Sequence, residues 1–181
     1  MGDAISIVWK SFLLRPEPQT PDQPKFVEYT KSWLRPAEME PATEFRVWAT
    51  DNLQPTSSVP PHLAAKAMEV IAPESGRAFH RRLLSAYFTE NRTISDWDVL
   101  YSLAEDVGVE GIALGAVVEE QGSALTQTVI DEHNEALSNG INAVPTTLIA
   151  GVLPVAGAQD VDTFERWITR LIDNQSADAT G

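Results

Sequence analysis

Three histidines, His62, His80 and His133, are the side chains of this 181-residue chain that titrate near neutrality, and there is no cysteine. A thiolate nucleophile, a disulfide and a thiolate zinc site are therefore outside the repertoire of these residues. The histidines are widely separated, and His133, in "IDEHNEAL", has Glu132 beside it but no second histidine a helix turn away, so metal-site spacing is missing. His80, between Phe79 and Arg81, reads as a partly exposed helix residue, His133 as part of a solvated face, and His62 as first-turn decoration of a helix. Glu105 with Asp106, and Glu119 with Glu120, are adjacent on the chain, so on a helix they point apart and make no catalytic pair. More pointed chemistry is suggested by "NAVPTTLIAG", residues 142–151, where a proline follows a β-branched valine at the mouth of an apolar strand. An X-Pro bond gives up only about 0.5–1 kcal/mol of trans preference, so a fold can hold Val144-Pro145 cis, and proline adds no N–H to a ladder. Strand-edge amides left free in this way recognise extended chains by β-augmentation.

The elements around that stretch follow from periodicity and punctuation. "ISIVWKSFLL", Ile5 to Leu14, is an apolar run closed by "RPEP" and predicts a strand buried on both faces, hence a sheet with helices on both sides. Glu17 to Pro61 is punctuated by proline and predicts a long irregular connection, with a short helix at Phe26 to Leu34 and an extended piece at Phe45 to Ala49. A helical block comes next. "PPHLAAKAMEVIA" has prolines at its start, and Phe79, Leu83, Leu84, Tyr87 and Phe88 recur at helix-turn spacings. "ISDWDVLYSLAEDVG" predicts a helix with Ser95 as N-cap, Asp98 at the capping-box position and Gly108 as the stop. A fourth helix is expected from Ser123 to Leu137, closed at Gly140. The runs Thr146 to Ala150 and Val152 to Ala156 then meet at Gly151 as a hairpin, with Pro154 confining the second strand to an edge. "QDVDTFERWITRLID" predicts an amphipathic helix, and 174–181 a disordered tail.

Charge limits the partners. With 26 acidic against 13 basic residues, the net charge of −13 argues against a nucleic-acid backbone or an anionic membrane surface. No apolar run approaches the ~20 residues needed to cross a bilayer, and "MGDAISIVWK" carries an acid where a signal peptide would be basic. The cytoplasm is the default address. A hydrophobic content of 43% suffices for a core, and the five tryptophans, Trp9, Trp33, Trp48, Trp97 and Trp167, read as core or groove wall.

A helix followed by "G-x-x-x-VPT", a hairpin, "GAQ" and a final amphipathic helix resembles the C-terminal half of the DsbA family of thioredoxin-fold proteins, in particular its FrnE-like branch. "AYFTENRTISDWDVLYSLAEDVGVE" resembles that branch's helical insertion, and "IVWKSFLLRPEP" its second strand with the arginine-proline exit. The fold class implied is α/β: a single discontinuous thioredoxin-like domain with its sheet part at 1–16 and 140–173, a proline-rich connection at 17–61 and a helical insertion at 62–139.

The resemblance implies that the bond before Pro145 is cis and that Val144 and Pro145 bind substrate, presenting backbone groups to a thiol-containing peptide or to glutathione. It places Ala158 and Gln159 at the turn where glutathione-dependent relatives hold the γ-glutamyl end. The family pattern also puts a first strand and a helix bearing C-x-x-C before the segment matched by Ile5 to Leu14, and nothing here matches them. Serine-based relatives, which resemble kappa-class transferases and 2-hydroxychromene-2-carboxylate isomerases, use that same helix, so neither Ser6 nor Ser11 is nominated as nucleophile. The expectation is a truncated, redox-inactive disulfide oxidoreductase with no resident cofactor or metal, and with glutathione as a candidate co-substrate. The alternatives are a glutathione-dependent isomerase or transferase, and a non-catalytic peptide-binding module. The gap left by the missing strand admits a homodimer.

Overall fold

The computed structural model describes residues 5–39 and 44–178. It divides into two compact units, Met1–His133 and Asn134–Gly181.

The first unit is built on helices. α1 (Gln23–Thr30) starts where the Asp22 side chain accepts the Lys25 N–H, and passes through a 3-10 turn (Lys31–Trp33) into α2 (Leu34–Met39). α3 (Val59–Ile71) carries prolines in its first turn, where their missing N–H costs nothing. α4 (Gly76–Phe88), α5 (Trp97–Glu105) and α6 (Gly111–Ser138) follow.

Residues one helix turn apart meet in one core: Ala64, Ala67 and Met68 from α3, Phe79, Leu83 and Ala86 from α4, Leu100, Leu103 and Ala104 from α5, and Leu114 from α6. Each large member is worth roughly 1.5–3 kcal/mol of burial, and the alanines let the helices approach. A second cluster joins Phe26, Trp33 and Trp48 with Phe45, Tyr87 and Phe88 through edge-on ring contacts. Burial there pushes the Tyr87 phenol up to about 12.

Several expectations are corrected. The Ile5 to Leu14 run has no strand partner among the described residues; Ile7, Val8 and Leu14 are 67%, 72% and 66% exposed, and of its residues Ser11 and Leu13 are buried. Its backbone donors find side chains instead. The N–H groups of Ser11, Leu13 and Arg15 go to Glu132 Oε2 (2.7 Å), His133 Nδ1 (3.2 Å) and Ser58 Oγ (2.9 Å). Alternate residues of an extended chain aim their donors to one side, so this row of acceptors takes the place of a neighbouring strand. Phe45 to Ala49, expected only as an extended piece, serves its donors in the same way: the N–H groups of Arg46, Trp48 and Ala49 go to Phe88 O, Thr30 Oγ1 and Asn91 Oδ1.

Ser95 does not cap α5. Its hydroxyl accepts the Thr56 N–H of the long connection at 3.1 Å, and Asp96 caps the helix by accepting the Asp98 N–H at 2.9 Å. Gly108, with φ +83°, ends that helical turn as expected. α6 begins twelve residues before the predicted Ser123, because Gly111 and Gly115 are contact points rather than helix breakers. A Cβ on Gly111 would stand 2.9 Å from Tyr101 Cβ, and one on Gly115 3.4 Å from the Tyr101 hydroxyl.

The second unit holds one antiparallel hairpin, β1 (Thr146–Ile149) and β2 (Leu153–Ala156), followed by α7 (Val161–Asp178). Ala150 and Gly151 both have positive φ (52° and 74°), and the Val152 N–H closes the turn on Ile149 O at 3.1 Å. α7 continues past residue 173 to Asp178, so the predicted tail is helical there; no glycine or proline interrupts 161–178, and 179–181 lie outside the described residues.

Candidate functional site

The hairpin sets which backbone groups are available. Thr146 pairs with Ala156, Thr147 with Val155, Leu148 with Pro154 and Ile149 with Leu153, and the Gly157 N–H donates to Pro145 O at 2.8 Å. In an antiparallel pair, inward-bonded and outward-facing residues alternate, so with residue 145 bonded inward, 147 and 149 face β2 while 146 and 148 face away. Two consequences follow. Pro154, opposite Leu148, lies at a position whose N–H would point outward, so it removes no ladder bond and β2 stays an edge. On the other side of β1, the amides of Thr146 and Leu148 face an edge that no described strand covers.

The Val144–Pro145 peptide bond leading into this edge is cis. Val144 is 45% exposed and Pro145 is exposed. The Thr146 hydroxyl donates to Ala143 O at 2.7 Å, tying the strand's first residue to the approach loop.

Ala158 and Gln159 are exposed in the turn before α7. Gln159 Nε2 donates to Ala156 O at 3.1 Å, so the side chain folds back on the hairpin. The helix start is already served. Asp160 accepts the Thr163 N–H at 2.7 Å and the Thr163 hydroxyl at 3.1 Å, and Arg166 donates to the same hydroxyl at 2.9 Å. The Thr163 backbone hydrogen bond, then its hydroxyl, hold the Asp160 carboxyl below its ordinary range. A second carboxylate arriving here would meet the charges of Asp160 and Asp162.

In the first unit, the three histidines that read as surface residues are brought together along Trp9 to Leu13. His80 is the partly exposed helix residue expected, but it has a partner the sequence did not show: it stacks on Trp9 with ring centroids 4.2 Å apart and planes 26° apart. His133 is no solvated-face residue: its Nδ1 accepts from Leu13 and its ring meets Phe12 edge-on at 5.0 Å. His62 is likewise more than decoration, because burial holds it below its ordinary value, with the Phe12 backbone and Glu132 pulling it up and His80 and Lys66 pushing it down.

Beside them lies an ion pair that the sequence reading missed. Lys66 and Glu132 stand 2.9 Å apart with side chains 10% and 12% exposed. Burial pushes the Glu132 carboxyl up, but the bonds from Lys66 and Ser11 outweigh it and leave it below the ordinary range. A signal was present: Lys66 lies among Leu63, Ala64, Ala67 and Met68 on the buried face of α3, where an apolar residue is the rule. Among the described residues no cluster of three histidine, aspartate or glutamate side chains is placed to hold a metal ion, and no helix is long and apolar enough to cross a membrane.

Known proteins share this architecture. The chain is 28% identical over 178 residues to the uncharacterised protein YwbO of Bacillus subtilis, covering 93% of this chain and 83% of that one. A crystal structure from Nitrosomonas europaea, provisionally named a protein disulfide isomerase, superposes with a TM-score of 0.74 at 14% identity, over 88% of this chain and 79% of that one. The cytosolic disulfide reductase DsbM of Pseudomonas aeruginosa, in its structure with GSH, gives a TM-score of 0.64 at 20% identity, over 91% and 81%. At these identities the solved structures speak to the fold, which is α/β and thioredoxin-like. The family model of the DSBA-like thioredoxin domain matches residues 2–169, and the chain belongs to that family.

Proposed function

We propose that these residues form the substrate-docking part of a thiol–disulfide oxidoreductase of the DsbA kind, with the outward edge of β1 pairing an extended, thiol-bearing peptide as an added strand. The observation that carries this reading is the pair of outward amides at Thr146 and Leu148 beside exposed Val144 and Pro145. Main-chain pairing supplies affinity, and the side chains flanking the cysteine of the partner supply choice. The 181 residues contain no cysteine, so they bind without themselves exchanging a disulfide.

Glutathione is the second candidate, supported by the DsbM structure with GSH. The Asp160 cap speaks for peptide over glutathione at the 158–159 turn, because it already takes the Thr163 N–H and its charge would face a γ-glutamyl carboxylate.

Leu148→Pro tests the reading selectively. Like Pro154 opposite it, this proline would delete an outward N–H and leave the β1–β2 ladder intact. In calorimetric titrations, a cysteine-containing peptide and its serine twin are expected to bind the native chain alike, and Leu148→Pro to weaken both by about tenfold or more. Failure of the folded chain to bind either peptide overturns the proposal; binding of glutathione alone transfers the site to the glutathione-dependent reading.

A further inference from the structure

Charge on α6 is of one sign. Its 28 residues include Glu119, Glu120, Asp131, Glu132 and Glu135 but neither lysine nor arginine, and no lysine or arginine occurs anywhere between Arg92 and Arg166. Such a helix has no opposite charges a turn away to neutralise it from within. Beside its first turns lies a cleft of about 630 Å³ shared with α5. Gly111, Gly115 and Ala116 make its floor, and the Tyr101 ring lies over Gly115, where a Cβ would stand 3.4 Å from the hydroxyl. Ile112, at the lip, is 81% exposed, the highest figure among the large apolar side chains described.

The shape suits a helix. Ile112, Gly115, Ala116 and Glu119 fall at i, i+3, i+4 and i+7 and so share one face of α6, and with glycine and alanine at its middle a second helix can approach to about 8 Å. Carboxylates close both ends. A Cβ on Gly111 would stand 3.2 Å from Glu105 Oε1, which fixes that carboxylate at one end, and Glu119 lies about 12 Å further along the axis. Asp106 is taken by Arg82 at 2.8 Å, whereas no ion pair among the described residues reaches Glu105 or Glu119, and no lysine or arginine lines the cleft. The complement of this surface is apolar and cationic together. A second copy does not supply it, because a two-fold contact of this face with itself sets carboxylate against carboxylate.

We propose that the cleft between α5 and α6 docks a cationic amphipathic helix of a partner protein. Its apolar side chains pack against Ile112 and Tyr101 over the Gly115–Ala116 floor, and its lysines or arginines reach Glu105 and Glu119. This surface belongs to the helical unit, and nothing in it depends on the reading of the β1 edge.

Calorimetric titration of the whole chain tests it with a peptide of about 18 residues, leucine and lysine arranged as one apolar and one basic face, beside a twin carrying glutamate for every lysine. The lysine peptide is expected to bind and the twin not to. Ala116→Arg, at an exposed helix position, sets a long cation on the floor and is expected to weaken binding by about tenfold or more. Glu105→Gln with Glu119→Gln is expected to cost about fivefold, whereas Glu17→Gln with Glu74→Gln, the same change of net charge at exposed positions elsewhere, leaves affinity unchanged, as does Leu148→Pro. Equal losses in the two glutamine pairs would show attraction to bulk charge and overturn the proposal. So would a folded chain that binds neither peptide, or both alike. Self-association of the native chain that Ala116→Arg abolishes would assign the face to a second copy instead.

Discussion

The two units place their apolar residues differently. In the first, α3, α4 and α5 converge on Phe79, Met68, Leu100 and Leu103, all fully buried, and polar groups are drawn inward to serve the backbone. In the second, Val155 and Thr163 are the residues of the hairpin and α7 that are buried among the described side chains, while Val144, Leu148, Val152, Leu153 and Val161 stand exposed. One unit is organised around a core, and the other offers backbone edges and apolar side chains to something outside itself. On the proposed function, that contrast assigns recognition to the hairpin and stability to the helices.

Breaking the core should cost most. Phe79→Ala removes a fully buried ring, and a loss of about 3–5 kcal/mol is expected in denaturant titrations of the first unit. Lys66→Met should approach that figure, about 3–5 kcal/mol, because it strands Glu132 at low exposure without its cation. Adding Glu132→Gln to it is expected to recover part of the loss. Asn91 comes next. It is 3% exposed, sits at φ 55°, accepts from Ala49 N–H and donates to Arg46 O, so Asn91→Ala should cost about 1–3 kcal/mol in the same titrations.

A pH series sharpens the comparison. His62 and His80 are depressed in the folded state, so the stability they contribute is present above the ordinary imidazole value and lost as pH falls below it. Thermal melts of the first unit should show this decline, and Gln at both positions should reduce it. The smallest effect belongs to the second unit: Asp160→Ala should loosen the first turn of α7, seen as faster exchange of the Thr163 amide, without moving the first unit's melt.

How much of this was readable in advance depended on whether a feature is local. The apolar period of α4, the prolines opening α3, the positive-φ stops at Gly108 and Gly140 and the "VPTT" hairpin were all legible, because each is set by neighbours a few residues away. The start of α6 was not, since Gly111 is tolerated only for its contact with Tyr101, from another helix. Ser95 lost its capping role to a loop amide 39 residues earlier. The histidine cluster was invisible for the same reason: His62, His80 and His133 are spaced for nothing along the chain and come together around Trp9, Phe12 and Leu13. For the site, the sequence pointed to Val144 and Pro145, whereas the outward amides of Thr146 and Leu148 required the register.

The central claim, that β1 offers its outer edge to an extended peptide, is tested most directly by amide resonances recorded during titration with a cysteine-containing peptide. The amides of Thr146 and Leu148 should shift and become protected from exchange, while Thr147 and Ile149, which face β2, change less. Shifts confined to the helical unit, or none at saturating peptide with the hairpin folded, would contradict it.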